Sequence, residues 1–240
     1  MNTIQKNLFA TVAFVLLGLC ACSGNGDSNA VLTPETDSSG GVDGDVENPQ
    51  SSSAAVKANW NYLNVWANYR EMTDPRDGQV YKMVKIGPFV VMAENLNYDM
   101  PSSYCYDNLP DNCGLYGRLY TWEAAIQACP AGWHLPSADE WEDLYAEMEW
   151  SPSAMQAKGF PEWSGATDAY GFSALPAGAS ANFDGLVAFG LVGDEASFWS
   201  ATEDNDSNFA LGWFLDASDA DLFYNARKDS GHSVRCLQDM

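Results

Sequence analysis

The sequence predicts an α+β domain, and three observations predict it. Two short amphipathic helices fall early, between Thr121 and Met148, and the chain after Trp150 turns Gly-, Ala- and Ser-rich with short β-like pieces between turns. Strands also open the domain, at Gln79–Ile86 and Phe89–Asn95 around a Gly87-Pro88 turn. Helices segregated from strands mark α+β, whereas a doubly wound α/β fold alternates them.

In chain order, residues 1–21 read as a signal peptide: Lys6 supplies the positive region, and Leu8 to Leu19 is an apolar run too short to span a bilayer comfortably. Leu19-Cys20-Ala21-Cys22 resembles a bacterial lipobox, in which a small residue precedes the acylated cysteine. Cys22 fits that slot; Cys20, behind the bulky Leu19, fits it less well. Acylation there anchors the chain to a membrane, because each buried methylene adds roughly 0.8 kcal/mol and several acyl chains act together. Ser23 stands where an aspartate would resemble an inner-membrane retention signal, so the expected address is the outer membrane, at the cell surface.

Residues 22–72 form an acidic Gly/Ser-rich linker with little to bury, expected to be disordered and to span roughly 40 Å by flexible-chain scaling. Residues 60–69, Trp-Asn-Tyr-Leu-Asn-Val-Trp-Ala-Asn-Tyr, break this pattern with four aromatics. They pack as a flap on the domain or offer stacking platforms to a ligand.

The domain itself is placed at residues 73–240. After the hairpin, Tyr104 to Cys113 reads as a polar loop with a cysteine near each end. Thr121 N-caps the first helix, with Trp122, Ala125, Ile126 and Cys129 on one apolar face, and Pro130 stops it. Ser137 and Glu140 have capping-box spacing before the second helix, whose apolar positions are Trp141, Leu144, Tyr145 and Met148. Strands are expected at Gly171–Pro176, Ser197–Ala201, Phe209–Leu215, Asp221–Asn225 and Ser233–Leu237.

Cys105, Cys113, Cys129 and Cys236 allow three connectivities. Proximity favours Cys105 with Cys113, leaving Cys129 to close a loop of about 107 residues with Cys236, which loop-entropy scaling credits with roughly 4 to 5 kcal/mol.

Seven ordered stretches carry a resemblance: Thr73 to Tyr81, Met92-Ala-Glu-Asn-Leu-Asn-Tyr98, Gly117 to Ala125, Cys129-Pro-Ala-Gly-Trp-His-Leu-Pro136, Gly171 to Gly178, Phe198-Trp-Ser-Ala-Thr-Glu203 and Ser233-Val-Arg-Cys-Leu237. Together, over residues 72–240, they resemble the Fibrobacter succinogenes major paralogous domain. The resemblance implies a C-type lectin-like fold, with two short helices packed on antiparallel sheets, a long loop region and a secreted or lipid-anchored setting. Val91 departs from the family, which usually has Trp there.

Composition excludes several functions. With 11 basic against 33 acidic residues the net charge is -22, which repels nucleic acid and anionic headgroups. The two histidines, His134 and His232, sit in neither a zinc-pair nor a Ser/His spacing, and no glycine-rich phosphate loop appears. Acid pairs such as Glu140 with Glu142 follow from the abundance of acids. The expected role is therefore a non-catalytic binding module for a polysaccharide or a cell-surface protein, or else an envelope-assembly component.

The sharpest candidate site is Thr202 to Asn208, where Glu203, Asp204, Asn205, Asp206 and Asn208 offer oxygens of the kind calcium takes in a flexible loop. The polar stretches Gly178–Asp194 and Glu203–Asn208 are expected to border a shallow site, with Trp199 or Trp213 beside it as ligand faces or as core.

Overall fold

A computed structural model describes residues 60–217 and 220–240. The signal peptide, Cys22 and the linker up to residue 59 lie outside the described residues. The first sheet begins where Gly87-Pro88 was expected to turn the chain. β2 (Val80–Ile86) and β3 (Phe89–Met92) pair antiparallel with Ile86 opposite Phe89, and β1 (Arg70–Thr73) adds to the free edge of β2. β12 (Leu237–Gln238) inserts between β3 and β6 (Trp133–His134), with Leu237 facing both Val91 and His134. The last strand is thus locked inside a sheet started by the first ones.

The second sheet contains β7 (Ala177–Phe183), β8 (Leu186–Val192), β9 (Ala196–Glu203), β10 (Phe209–Leu215) and β11 (Ala220–Arg227), in the order β11-β10-β9-β7-β8. Its pairings are antiparallel except β7 with β9, which is parallel. A two-stranded ribbon joins β4 (Ser103–Tyr104) to β5 (Leu119–Tyr120). Helices are α1 (Pro110–Tyr116), α2 (Trp122–Ala128), α3 (Ala138–Glu147) and α4 (Pro152–Met155).

Several expectations hold and several are corrected. The capping box forms: Ser137 Oγ accepts from the Glu140 amide, and the Glu140 carboxylate accepts from the Ser137 amide. In α2 the Thr121 side chain makes no capping bond, and Ile126 is 41% exposed; Ala124 and Ala128 join Trp122 and Ala125 on the buried face instead. The loop expected between the first cysteines folds into α1, started by Pro110 at its first turn. Gly171–Pro176 is not a strand, because Gly171 and Ser173 take left-handed φ of 74° and 54°, which breaks the extended run. Gly178–Asp194, a polar stretch expected to border the site, is mostly the β7–β8 hairpin.

Two clusters make the core. Trp141, Leu144 and Tyr145 of α3 and Met148 at its end meet Val84, Ile86 and Val91 of the first sheet and Phe198, Trp213 and Leu215 of the second. Trp141 stacks on Trp213 with ring centroids 5.0 Å apart and 20° between planes. Around α2, Trp122, Ala125 and Ala128 pack with Tyr81, Met92, Leu96, Trp199 and Cys236. Both disulfides form in the pairing that proximity favoured, Cys105–Cys113 and Cys129–Cys236.

Candidate functional site

The site is assembled around one buried cation. Arg235, just before β12, is fully buried. Its Nε–H donates to Asn95 Oδ1 at 2.6 Å, Nη1 donates to the carbonyls of Met92 (3.0 Å) and Phe172 (2.6 Å), and Nη2 donates to that of Ser173 (2.8 Å). Loss of hydration pulls its pKa down to about 10, against the opposing pull of Tyr62, Glu94 and Asp168. These bonds tie the turn after β3 to the 171–174 loop. They spend four of the five guanidinium N–H donors on neutral acceptors.

Residues 60–69 close over this arrangement. Trp60 Nε1 donates to Glu94 Oε1 at 2.7 Å, Asn64 Nδ2 donates to the Asp168 carbonyl at 2.6 Å, and the Tyr69 and Ser173 hydroxyls lie 3.0 Å apart. Asp168 accepts from Ser173 N and Oγ at 2.8 and 2.6 Å, and burial pushes its carboxyl up to about 6. Burial likewise raises the Tyr62 phenol, helped by Glu94. Of the two readings of the aromatic segment, packing on the domain therefore describes Trp60, Tyr62, Leu63 and Tyr69, while Trp66 stays 90% exposed. The fold accordingly starts before residue 73.

Between this segment and α1 lies a pocket of about 470 Å³, within the range of small-molecule sites. Trp60, Tyr62 and Tyr81 supply aromatic surface, Gln79 and Asn97 supply amides, and Glu94 supplies the one charged side chain of the lining. Cys113, Gly114 and Leu115 form the facing wall, which the Cys105–Cys113 disulfide pins. Gly117 lets that wall approach: its φ is +73°, and a Cβ there would stand 2.7 Å from Asn95 Cβ. Glu94 accepts from the Lys82 amide and from Trp60, and burial holds its carboxyl above the usual range despite those bonds.

The residues singled out from the sequence fall elsewhere. Trp199 and Trp213 are core: the Trp199 indole donates to the Tyr120 carbonyl at 2.7 Å, and Trp213 is sandwiched against Trp141 and Phe198. The second sheet is covered on both sides here, Trp213 packing in the cluster around α3 and Trp199 in the cluster around α2, so neither presents a face to a ligand. In the 203–208 loop, Asp204 Oδ1 accepts from the Asp206 amide at 2.8 Å and Asp206 Oδ1 from the Asn208 amide at 3.0 Å, while Glu203 pairs with Lys228. No group of three or more His, Cys, Asp or Glu side chains suited to a metal occurs among the described residues. The loop and the pocket share no residues.

Both histidines are held by local partners. His134 lies between Asp239 (Nδ1, 2.7 Å) and Glu140 (Nε2, 3.0 Å), and His232 is buried against Trp199 with Nδ1 3.1 Å from the Tyr224 hydroxyl. Burial drives the His232 pKa down to about 3, which keeps it neutral.

The family model described as the Fibrobacter succinogenes major domain matches residues 65–238. The chain belongs to that family. No curated protein and no solved structure matches it. In this major domain, residues from four of the motif stretches converge on one place: Glu94 and Asn95 from the second, Gly117 from the third, Phe172 and Ser173 from the fifth, and Arg235 from the last. The matched span begins at residue 65, inside the aromatic segment, in line with the packing of Tyr69 on Ser173. Sequence reasoning placed the site in the late loops because it weighed exposed oxygens. The signal it passed over was the Met92–Asn97 run together with Trp60 and Tyr62.

Proposed function

We propose that this protein is a non-catalytic binding module that takes part of a polysaccharide in the pocket between Trp60, Tyr62 and α1. The observation that carries this reading is the lining itself, aromatic faces beside amide and carboxylate groups, which matches the CH faces and hydroxyls of a sugar. The test is calorimetric titration of the full-length protein with cello-, xylo- and manno-oligosaccharides. Binding by any of them that Tyr62→Ala weakens supports the site, and heat from none of them leaves a protein partner or an envelope-assembly role ahead.

The C-type lectin-like fold belongs to the same proposal. It is supported by terminal strands paired in one sheet, two main helices, long connections and two disulfides, one of which ties the end of α2 to the start of the last strand. Lipid anchoring through Cys22 at the outer membrane completes it: labelling with palmitate should tag the wild type and lose the tag in Cys22→Ala. Calcium at the 203–208 loop is a separate proposal, using Asn205 and the carboxylate oxygens of Asp204 and Asp206 outside the loop's own bonds. A melting temperature raised by calcium, with the rise abolished by Asp204→Asn and Asp206→Asn together, would support it.

A further inference from the structure

We propose that the pocket selects a glycan with free amino groups, the ammonium of an unacylated hexosamine unit seating against Glu94; this rests on the polysaccharide reading above. Buried carboxylates are ordinarily paired with a cation. Glu94 is 6% exposed and forms no ion pair among the described residues. Arg235, the nearest buried cation in electrostatic terms, gives the four hydrogen bonds described above to Asn95 and three backbone carbonyls, none of them to Glu94. The Glu94 carboxylate is held by two donors, Trp60 Nε1 and the Lys82 amide. A carboxylate has about four acceptor positions, so roughly two are left for a ligand.

The rest of the lining suits the same group. No Lys or Arg side chain is part of it; Arg235 and Lys82 act on Glu94 from outside the lining. Trp60 already takes an ammonium on its ring, that of Lys82 at 4.1 Å from the centroid. Lys82 itself ion-pairs with Glu71 at 2.6 Å and, like Arg235, acts on Glu94 only through space, so the carboxylate keeps no cation in direct contact. Burial holds the Glu94 carboxyl above its usual range, and a bound cation would relieve that. Gln79 and Asn97 line the pocket beside the aromatic faces; Gln79 Nε2 already donates to Asp77 Oδ2 and the Asn97 carbonyl, which leaves its Oε1 as an acceptor for a ring hydroxyl and favours an amino sugar over a bare alkylammonium.

One series of β-1,4-linked oligosaccharides isolates the charge. Glucosamine, N-acetylglucosamine and glucose oligomers of equal length share a backbone and differ in the 2-substituent: ammonium, acetamide or hydroxyl. Titrated into the full-length protein at pH 6 and moderate salt, the glucosamine oligomer should bind about tenfold or more tighter than the other two, as expected for one charge-assisted contact. Glu94→Gln should remove that preference while residual binding of the glucose oligomer persists. The acetylated arm keeps the test decisive if Glu94→Gln fails to fold, since it removes the ligand charge and leaves the protein intact. Equal or tighter binding of the glucose oligomer would overturn the amine assignment and leave the polysaccharide reading standing. Binding of none would overturn the amine assignment, and the polysaccharide reading would fall with it if the xylo- and manno-oligosaccharides also gave no heat. Preference for glucosamine that a folded Glu94→Gln retains would trace to the net charge of -22 and overturn the assignment to this pocket, as would a lysine peptide that binds where the glucosamine oligomer does not.

Discussion

Arg235 donates to Asn95 Oδ1 at 2.6 Å across 140 residues of sequence, in a place neither side chain shares with solvent. Lysine at 235 would bring three donors on one atom to four acceptors spread around a planar fork, so the substitution is not conservative here. Arg235→Lys should cost about 1–3 kcal/mol, the penalty for leaving buried acceptors unsatisfied, read as a lowered urea midpoint. A loss below about 1 kcal/mol would mean that water replaces the guanidinium.

Gly171 controls the aromatic segment. A Cβ at this φ of +74° would stand 2.5 Å from Ala67 Cβ and 2.9 Å from the Tyr69 hydroxyl. Gly171→Ala should therefore displace residues 64–69, costing roughly 1–3 kcal/mol through strain. The same displacement should shift tryptophan fluorescence to the red as Trp60 leaves Glu94, and weaken ligand binding in parallel. Unchanged emission would show that the segment adapts.

The two disulfides should differ in worth. Loop-closure scaling gives about 5 kcal/mol for the 107-residue separation of Cys129–Cys236 and about 2.5 kcal/mol for the 8-residue separation of Cys105–Cys113. Replacing Cys129 and Cys236 together by Ser should thus lower thermal stability the more. Replacing Cys105 and Cys113 should lower ligand affinity the more, because that bridge pins the wall of the pocket. Reversed outcomes in calorimetry and titration would break the assignment.

A pH window follows from His134. Loss of hydration works against its protonation, but bonds to Asp239 and Glu140 more than offset it and raise the pKa above 6.5, while the Ser137 and His134 contacts lower that of Glu140 in spite of burial. A raised histidine contributes fully below its unfolded pKa of about 6.5 and loses the contribution as pH rises through the folded value; a depressed carboxylate contributes above about 4.5 and loses it as pH falls through its folded value. The tie between α3 and the end of the chain is therefore strongest between about pH 4.5 and 6.5. His134→Gln should lower the melting temperature there and match the wild type at pH 9, with a stability difference under about 1 kcal/mol because the groups are partly solvated.

What could be read from the sequence was whatever rested on local rules. The Ser137–Glu140 box, the Gly87-Pro88 turn and the apolar spacing of Trp141, Leu144, Tyr145 and Met148 depend on near neighbours, and each formed. Ile126 matched the same spacing and came out exposed, since the face of α2 is chosen by the neighbours Trp199 and Met92 rather than by the helix. The pocket depends on longer reach: Trp60 meets Glu94, Gly117 meets Asn95, and Arg235 meets them from the far end of the chain. No periodicity announces contacts of that separation. Exposed acids in the 203–208 loop are conspicuous in one dimension, yet two of them are used to hold their own turn.

The Cys129–Cys236 bridge decides what a single proteolytic cut can do to the molecule. A cut anywhere between those residues, for instance at the exposed Asp184-Gly185 turn between β7 and β8, leaves two fragments still covalently joined. The pocket-lining residues, Trp60 to Gly117, all precede that loop. A nicked molecule would run as a single band until reduced and would keep its binding wall on one uninterrupted stretch of chain.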